Sequence, residues 1–168
     1  MNYKAIDIAD YFISLYKYDE EHPTNLKLNK LDYFAQGYAL ARFGEPLFEE
    51  TIEAWDYGPV VPSIYYAFNK YEKLGIDKIE EELPKFDEAV EELLLDVARK
   101  YGIFTGSRLT SMTHEPGTPW ADSYIKTAMH TEIPTDSIKK YFTESMPALP
   151  TLDEELGDLQ PMEWNDAV

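Results

Sequence analysis

The chain of 168 residues contains no cysteine. This absence excludes a disulfide framework, a thiol nucleophile and any thiolate metal site, and it is compatible with a reducing cytoplasm. Basic residues are also scarce, with 15 lysines and arginines against 32 aspartates and glutamates and a formal net charge of -17. Because binding to DNA or RNA depends on a basic face, this balance argues against nucleic acid as a partner.

Long apolar runs are missing as well. The longest uninterrupted series of aliphatic, aromatic and methionine residues spans positions 64–68, far below the roughly 20 residues that a membrane-spanning helix needs. Near the amino-terminal end Lys4 is followed at once by Asp7 and Asp10, which departs from the basic-then-apolar order of a signal peptide. We therefore expect a soluble, cytoplasmic protein with no membrane partner.

The residues that are abundant favour a globular domain. Apolar residues make up 44% of the chain and aromatic residues 14%, and a domain of roughly 150 residues buries about 68–70% of its unfolded surface. After residue 146 the composition changes to prolines and repeated acids. The sequence therefore predicts one domain over residues 1–146 and an extended or disordered acidic tail over residues 147–168.

Most of the domain shows helical periodicity. Apolar residues recur at spacings of three and four, and cap residues, prolines and glycines bound these segments. The predicted helices cover about residues 2–18, 25–43, 62–74, 88–101, 107–112, 119–128 and 135–146. Residues 51–55 alternate with period two, and residues 57–59 are predicted as a turn. We expect a mainly α fold, a compact single helical domain with at most a short strand or hairpin.

Charge is distributed unevenly along the chain. Residues 77–99 contain nine acids and three bases. Such an acidic surface can imitate phosphate charge toward a basic partner, or it can simply keep the protein soluble. The exception is a basic stripe of Lys27, Lys30 and Arg42 on one predicted helix, which we interpret as a solvated helix face.

A catalytic or metal site would have to use the three histidines of the chain. His22 lies beside a proline and His130 in a polar linker, and neither has a second ligand at metal-binding spacing. An enzyme that uses His114 with Ser111 and Glu115 is one hypothesis, but a histidine that stabilises a loop and a helix end is favoured. The glycines are scattered singly and form no phosphate-binding loop. We predict no catalytic residue, no metal and no cofactor.

Two aromatic segments do not fit a simple core stripe. Tyr33, Gln36 and Gly37 fall off the main apolar stripe of their predicted helix, where glycine costs about 1 kcal/mol relative to alanine. Gly58 in the following turn is expected to allow close approach of another element, and Trp55 and Tyr57 are expected to pack over that element. The second segment is either a rigid elbow or a preformed aromatic surface for a protein partner, because Trp and Tyr are common interface anchors.

Four motifs in order resemble those of the Panacea domain. They are LNKLDYFAQG at residues 28–37, FGEPLF at 43–48, IEAWDYGPVVP at 52–62, and LTSMTH at 109–114 with PW at 119–120. The resemblance covers about residues 5–125 and excludes the tail. This is the SocA-like antitoxin domain, which also occurs in phage-associated proteins of the GepA type. The motif residues selected as candidates for interaction or structure are Tyr33, Gln36, Gly37, Trp55, Tyr57, Gly58, Pro59, Val60, His114 and Trp120.

The resemblance implies an antitoxin rather than an enzyme, with a cognate protein toxin encoded nearby as its partner. Members of the family commonly neutralise the toxin by direct binding. The alternatives are a proteolytic adaptor that delivers the toxin to an ATP-dependent cellular protease and a phage-associated interaction protein. Since one domain serves many toxins, the motifs are expected to maintain the fold. Asp32 stands where an apolar or aromatic residue is expected.

Two acidic segments are the candidate toxin-binding surface. If the toxin acts on RNA or a nucleotide, carboxylates of the acidic helix or of the tail can occupy its phosphate-binding groove. The selected residues are Glu88, Glu91, Glu92, Asp153, Glu154 and Glu155. Exposed aromatic residues also leave a homodimer open.

Overall fold

The computed structural model of the chain describes residues 1–78, 82–128 and 130–150. Within these ranges the elements are α1 (Ala5–Leu15), α2 (Asn25–Phe43), β1 (Glu53–Trp55), β2 (Gly58–Val60), α3 (Pro62–Phe68), a 3-10 helix (Asn69–Tyr71), α4 (Glu88–Tyr101), α5 (Gly106–Thr113), α6 (Pro119–Ser123), β3 (Thr131–Glu132) and α7 (Thr135–Glu144). The predicted mainly α fold is confirmed. None of these helices is both long and apolar enough to span a membrane.

Helix α2 is the centre around which the other helices pack. Residues 28–40 are buried on every side, and α1, α3, α4, α5 and α7 all contact this helix. Thr24 begins the helix, because its side chain accepts a hydrogen bond from the backbone nitrogen of Lys27 at 3.2 Å. Gly44 ends it in the left-handed conformation, with φ 79°. The predictions of both helix ends are confirmed.

The three strands form one small antiparallel sheet in the order β2, β1, β3. Within the β1–β2 hairpin Glu53 pairs with Val60 and Trp55 pairs with Gly58. On the other side of β1, Glu53 pairs with Glu132. The turn lies at residues 56–57, earlier than predicted, because Gly58 already belongs to a strand. The sequence does not predict β3, a strand of two residues that is far from β1 along the chain.

Two predicted helices end about five or six residues earlier than expected. Helix α3 ends at Phe68 instead of near residue 74, and after the 3-10 helix Glu72 adopts φ 53°, which breaks the helical hydrogen-bond pattern. Helix α6 ends at Ser123 instead of near residue 128. There Tyr124 turns to an extended conformation with φ -71° and ψ 124°, and its hydroxyl donates a hydrogen bond to Asp56 at 2.7 Å.

The described residues after α7 contact the domain. The Tyr38 hydroxyl donates a hydrogen bond to the carbonyl oxygen of Pro147 at 3.1 Å, and Leu149 is buried in the core cluster. The beginning of the predicted tail therefore packs beside α2. The rest of that tail, residues 151–168, lies outside the described residues.

Candidate protein-interaction surface

Side chains of α2 hold the β1–β2 hairpin against the helix. Lys30 Nζ donates a hydrogen bond to the carbonyl oxygen of Pro59 at 3.0 Å. Asn29 Oδ1 accepts a hydrogen bond from the backbone nitrogen of Val61 at 2.9 Å. Asn25 fixes the orientation of Asn29, since its Oδ1 accepts a hydrogen bond from Asn29 Nδ2 at 2.9 Å. Two backbone groups of the hairpin segment are therefore satisfied by side chains of the central helix.

Lys30 is completely buried, with 0% exposure, although a solvated position was predicted. Burial lowers its pKa to about 7. The other two residues of the predicted stripe have partners as well. Lys27 Nζ donates a hydrogen bond to the carbonyl oxygen of Gly102 at 2.6 Å, and Arg42 pairs with Asp96 at 3.1 Å. The prediction of a solvated face is wrong for Lys30, because other elements enclose α2 on all sides.

Gly58 makes room for the buried lysine. A β-carbon at this position would lie 2.7 Å from Lys30 Cε and 2.8 Å from Thr113 Oγ1, and the backbone has φ 102°, a conformation that residues with a β-carbon rarely adopt. The expected close approach therefore occurs, and the element that Gly58 admits is the side chain of Lys30. Pro59 and Val60 are buried in the same segment.

The candidate residues in the middle of α2 are also buried. Gln36 ties the helix to the chain that follows it, because its Oε1 accepts a hydrogen bond from Leu47 N at 2.8 Å and its Nε2 donates one to Phe48 O at 2.8 Å. A β-carbon at Gly37 would overlap the ring of Phe142. The Tyr33 ring lies in the same aromatic cluster. Burial makes Tyr33, Gln36 and Gly37 part of the framework and removes them from any partner surface.

His114 and Trp120 form a stacked pair that stabilises the hairpin. Their rings stack with centroids 3.7 Å apart, and Trp120 Nε1 donates a hydrogen bond to the carbonyl oxygen of Trp55 at 2.8 Å. Burial lowers the pKa of His114. Within the described part of the chain, no hydrogen bond joins the His114 side chain to Ser111 or Glu115. The contact that the His114 ring makes is the stack on Trp120.

The outward side of the hairpin carries a cluster of rings, formed by Trp55, Tyr65, Tyr66 and His130, that we call the hairpin aromatic surface. His130 stacks on Trp55 with ring centroids 4.0 Å apart. Tyr65 meets Trp55 edge-on at 4.8 Å, and Tyr66 lies 5.3 Å from Tyr65. Tyr66 is 61% exposed, and Tyr57 in the adjacent turn is 72% exposed. Of the predicted aromatic segment, Trp55 and Tyr57 therefore reach the surface.

Three members of this surface are absent from the predicted site residues. The helical spacing of α3 is a signal for Tyr66, since Ile64 and Phe68 are the buried positions of that helix. His130 has no comparable signal. Its ring reaches Trp55 because β3 pairs with β1, and this long-range pairing leaves no local pattern in the sequence.

Carboxylates flank the hairpin aromatic surface. Trp55 Nε1 donates a hydrogen bond to Glu53 Oε2 at 2.7 Å, and the same oxygen lies 3.8 Å from His130 Nδ1. Glu132 is exposed and stands opposite Glu53 across the strand pair. The surface therefore combines exposed rings with negative charge.

The acidic residues predicted on α4 lie on its outer face. Glu88 and Glu92 are exposed. Glu91 is also exposed, and its Oε1 accepts a hydrogen bond from the Tyr11 hydroxyl at 3.2 Å. Apart from Asp96, the opposite face is apolar and buried, which gives the helix one core side and one acidic side. The remaining predicted acids, Asp153, Glu154 and Glu155, lie outside the described residues.

The family model described as antitoxin SocA-like, Panacea domain, matches residues 28–121. This chain belongs to that family. The matched region begins in α2 and ends in α6, so it contains the contact between Lys30 and the hairpin and the stack of His114 on Trp120. The resemblance inferred from the motifs is confirmed, and the buried motif residues form the framework of the Panacea domain.

The chain is similar to Antitoxin SocA of Caulobacter vibrioides (strain NA1000 / CB15N), with 33% identity over 108 residues. The alignment covers 58% of this chain and 57% of that relative, so the chain spans little more than half of the relative's length. No solved structure matches the chain. The SocA-like Panacea family is a family of antitoxins, a class that is generally not enzymatic.

Proposed function

We propose that this protein is the antitoxin of a toxin-antitoxin pair and that it neutralises its cognate toxin by direct binding in the cytoplasm. The observation that carries the proposal is the Panacea domain over residues 28–121. Similarity to Antitoxin SocA over 108 residues supports it. The gene for the toxin is expected next to the gene for this chain.

The surface of the domain suits the binding of a protein. The acidic face of α4 presents Glu88 and Glu92 to solvent, and the chain carries a net charge of -17. A toxin with a basic groove would be attracted by this field, which raises association rates and suppresses unsuitable partners. The hairpin aromatic surface adds exposed Tyr and Trp side chains, the residue types that dominate binding energy at interfaces.

Growth rescue tests the proposal. The neighbouring open reading frame is expressed from an inducible promoter with and without this protein, and the two proteins are then purified together from rescued cells. We expect arrest of growth by the neighbour alone, rescue by the pair, and a stable stoichiometric complex. Rescue with disappearance of the toxin, reversed by removal of an ATP-dependent protease, would identify a proteolytic adaptor instead. A harmless neighbour would contradict the antitoxin proposal.

The acidic segments are tested in the purified complex. We expect the double variant Glu88→Lys with Glu92→Lys to bind the toxin more weakly than the wild type at low salt, with a smaller difference at high salt because exposed charges are screened. Glu144→Lys reverses one charge at the exposed end of α7, away from α4, and is the control for a charge reversal elsewhere on the surface. A truncation after Pro150 tests Asp153, Glu154 and Glu155 and leaves the contacts of Pro147 and Leu149 intact. Unchanged affinity at both salt concentrations would exclude the segment concerned.

A further inference from the structure

The exposed face of the small sheet brings two carboxylates together. Glu53 and Glu132 are direct cross-strand partners, and side chains that pair in this way project from the same face. Like charges in this position destabilise a sheet. Within the described residues no lysine or arginine forms an ion pair with either carboxylate. Glu53 Oε2 accepts a hydrogen bond from Trp55 Nε1 at 2.7 Å and lies 3.8 Å from His130 Nδ1. The pair therefore leaves negative charge available to a cation from outside.

Aromatic rings adjoin this charge. The Trp55 ring follows Glu53 on the same strand face, and Tyr65 and Tyr66 extend the ring cluster along α3. Aromatic faces attract cations, and an indole is the strongest of them. Because the rings contact one another and Trp55 is held by Glu53 through its Nε1, little side-chain freedom remains to be lost on binding.

The contact of His130 indicates which group the surface accepts. Its planar ring stacks on Trp55 with an interplanar angle of 10°, while its Nδ1 approaches the carboxylate of Glu53. Arginine satisfies the same two requirements, since its guanidinium is planar, stacks on aromatic faces and pairs with carboxylates. Unlike histidine, it is charged at every physiological pH.

This inference rests on the proposed function: we propose that the toxin docks on the hairpin aromatic surface through a segment that contains an arginine. The guanidinium of this arginine stacks on the exposed rings and pairs with Glu53 and Glu132. A second copy of this chain is the poorer occupant. A two-fold interface would bring the same carboxylates against each other, between two chains that each carry a charge of -17. A basic toxin segment supplies the missing charge.

The test compares matched variants of the full chain in binding to the toxin. Glu132→Lys and Tyr66→Ala alter the surface at exposed positions, and Glu144→Lys and Tyr18→Ala make the same changes at exposed positions elsewhere. Circular dichroism and thermal melting verify that all four variants fold. Calorimetry is expected to give a Kd at least about tenfold higher for each surface variant, as for an interface anchor, and wild-type values for both controls.

A second measurement does not depend on the toxin. The indole N–H resonance of Trp55 is followed by NMR while N-acetyl-arginine amide is added, with N-acetyl-norvaline amide as the uncharged control. We expect a saturable shift with the arginine compound only, weakened by Glu132→Lys and unchanged by Glu144→Lys. Equal effects of the two charge reversals would mean that only the overall field acts, and would overturn the inference.

The two proposals can fail separately. If the wild-type chain rescues growth and binds the toxin but the surface variants bind equally well, the docking inference is wrong and the antitoxin function stands. If the wild type neither rescues nor binds, the antitoxin proposal is wrong, and toxin docking falls with it. The arginine titration then decides by itself whether the surface recognises a guanidinium.

Discussion

Lys30 lies in the middle of the central helix and donates a 3.0 Å hydrogen bond to the carbonyl oxygen of Pro59 in the hairpin. Together with the hydrogen bond from Val61 N to Asn29 Oδ1, this contact joins the central helix to the strand that follows the exposed turn. Gly58 is what allows it, because any larger residue there would displace the lysine side chain. The position of the hairpin aromatic surface therefore depends on a buried group that is ordinarily charged and solvated.

The burial of Lys30 predicts a specific dependence of stability on pH. Its pKa falls from 10.5 to about 7 on folding, so the unfolded chain binds the proton more tightly. Stability from this group is fully present above the unfolded pKa and is lost as the pH falls through the folded pKa. Relative to Lys30→Met, the wild type should gain about 2 kcal/mol in unfolding free energy between pH 7 and pH 9.

Denaturant unfolding of both proteins across this pH range measures the effect. The variant also leaves the Pro59 carbonyl without its donor, but this cost does not change with pH. The pH-dependent difference between the two curves therefore isolates the lysine. Parallel curves would mean that Lys30 is solvated or fully charged in the fold.

Replacement of Gly58 by alanine should weaken the domain more than the same change at Gly117. Both glycines have positive φ, but a β-carbon at Gly58 would approach Lys30 and Thr113 within 3 Å, whereas nothing lies within 4 Å at Gly117. We expect Gly117→Ala to cost about 1–2 kcal/mol for conformation alone, and Gly58→Ala at least about 3 kcal/mol because steric overlap adds to strain. Equal losses in chemical denaturation would argue against the close approach.

Local signals in the sequence predict both ends of α2 and the start of α3 correctly. Thr24 and Gly44 bound α2, and Pro62 opens α3 at its first residue, because capping and proline geometry depend on neighbouring residues only. The short strand β3 is different. Its two residues form a strand because they pair with β1, and no local sequence pattern indicates such long-range pairing.

The candidate site is only partly predictable for a related reason. Trp55 and Tyr57 stand out as aromatic residues beside a tight turn, and both reach the surface. Lys30 is misjudged because lysine is almost never fully buried, and its partner is the carbonyl oxygen of a residue far along the chain. A charged residue on a helix that is enclosed on all sides can be recognised only when the enclosing elements are known.

Asp32 should make the domain less stable at neutral pH than an apolar residue would. It is 0% exposed, and neither carboxyl oxygen has a hydrogen-bond partner among the described residues. Burial, together with the charges of Glu50 and Asp10, raises the pKa of Asp32 well above its usual value. Stability from such a group is fully present below the unfolded pKa and is lost as the pH rises through the folded pKa.

Replacement of Asp32 by leucine is therefore expected to stabilise the fold at pH 7 by about 1–3 kcal/mol. The advantage should shrink as the pH falls and reach its minimum below the unfolded pKa of 3.8, where the aspartate is protonated in both states. Asp32→Asn is the matched control, since it removes ionisation and keeps the polar group buried. Its pH slope should follow that of Asp32→Leu, and unfolding curves at several pH values compare the three proteins. A wild-type advantage at pH 7 would show that Asp32 has a favourable partner.

His114 should matter for stability and not for neutralisation of the toxin. Its ring stacks on Trp120 at 3.7 Å, and the loss of such an aromatic contact in His114→Ala is expected to cost about 1 kcal/mol. His114→Phe keeps a planar ring and should retain most of the stability. Because burial lowers the pKa of His114, the histidine's contribution is lost as the pH falls through the folded pKa, so the phenylalanine variant should resist acid better between pH 7 and pH 5.

Thermal melting at both pH values and growth rescue against the toxin are measured on the same three proteins. We expect rescue by all of them at a temperature where each is folded. Loss of rescue in His114→Phe with wild-type thermal stability would assign a direct role to the imidazole, because the stack on Trp120 would still be present. In that case Ser111 and Glu115 would again be candidate partners of the imidazole. A fall in melting temperature confined to His114→Ala would instead show that the histidine stabilises the hairpin.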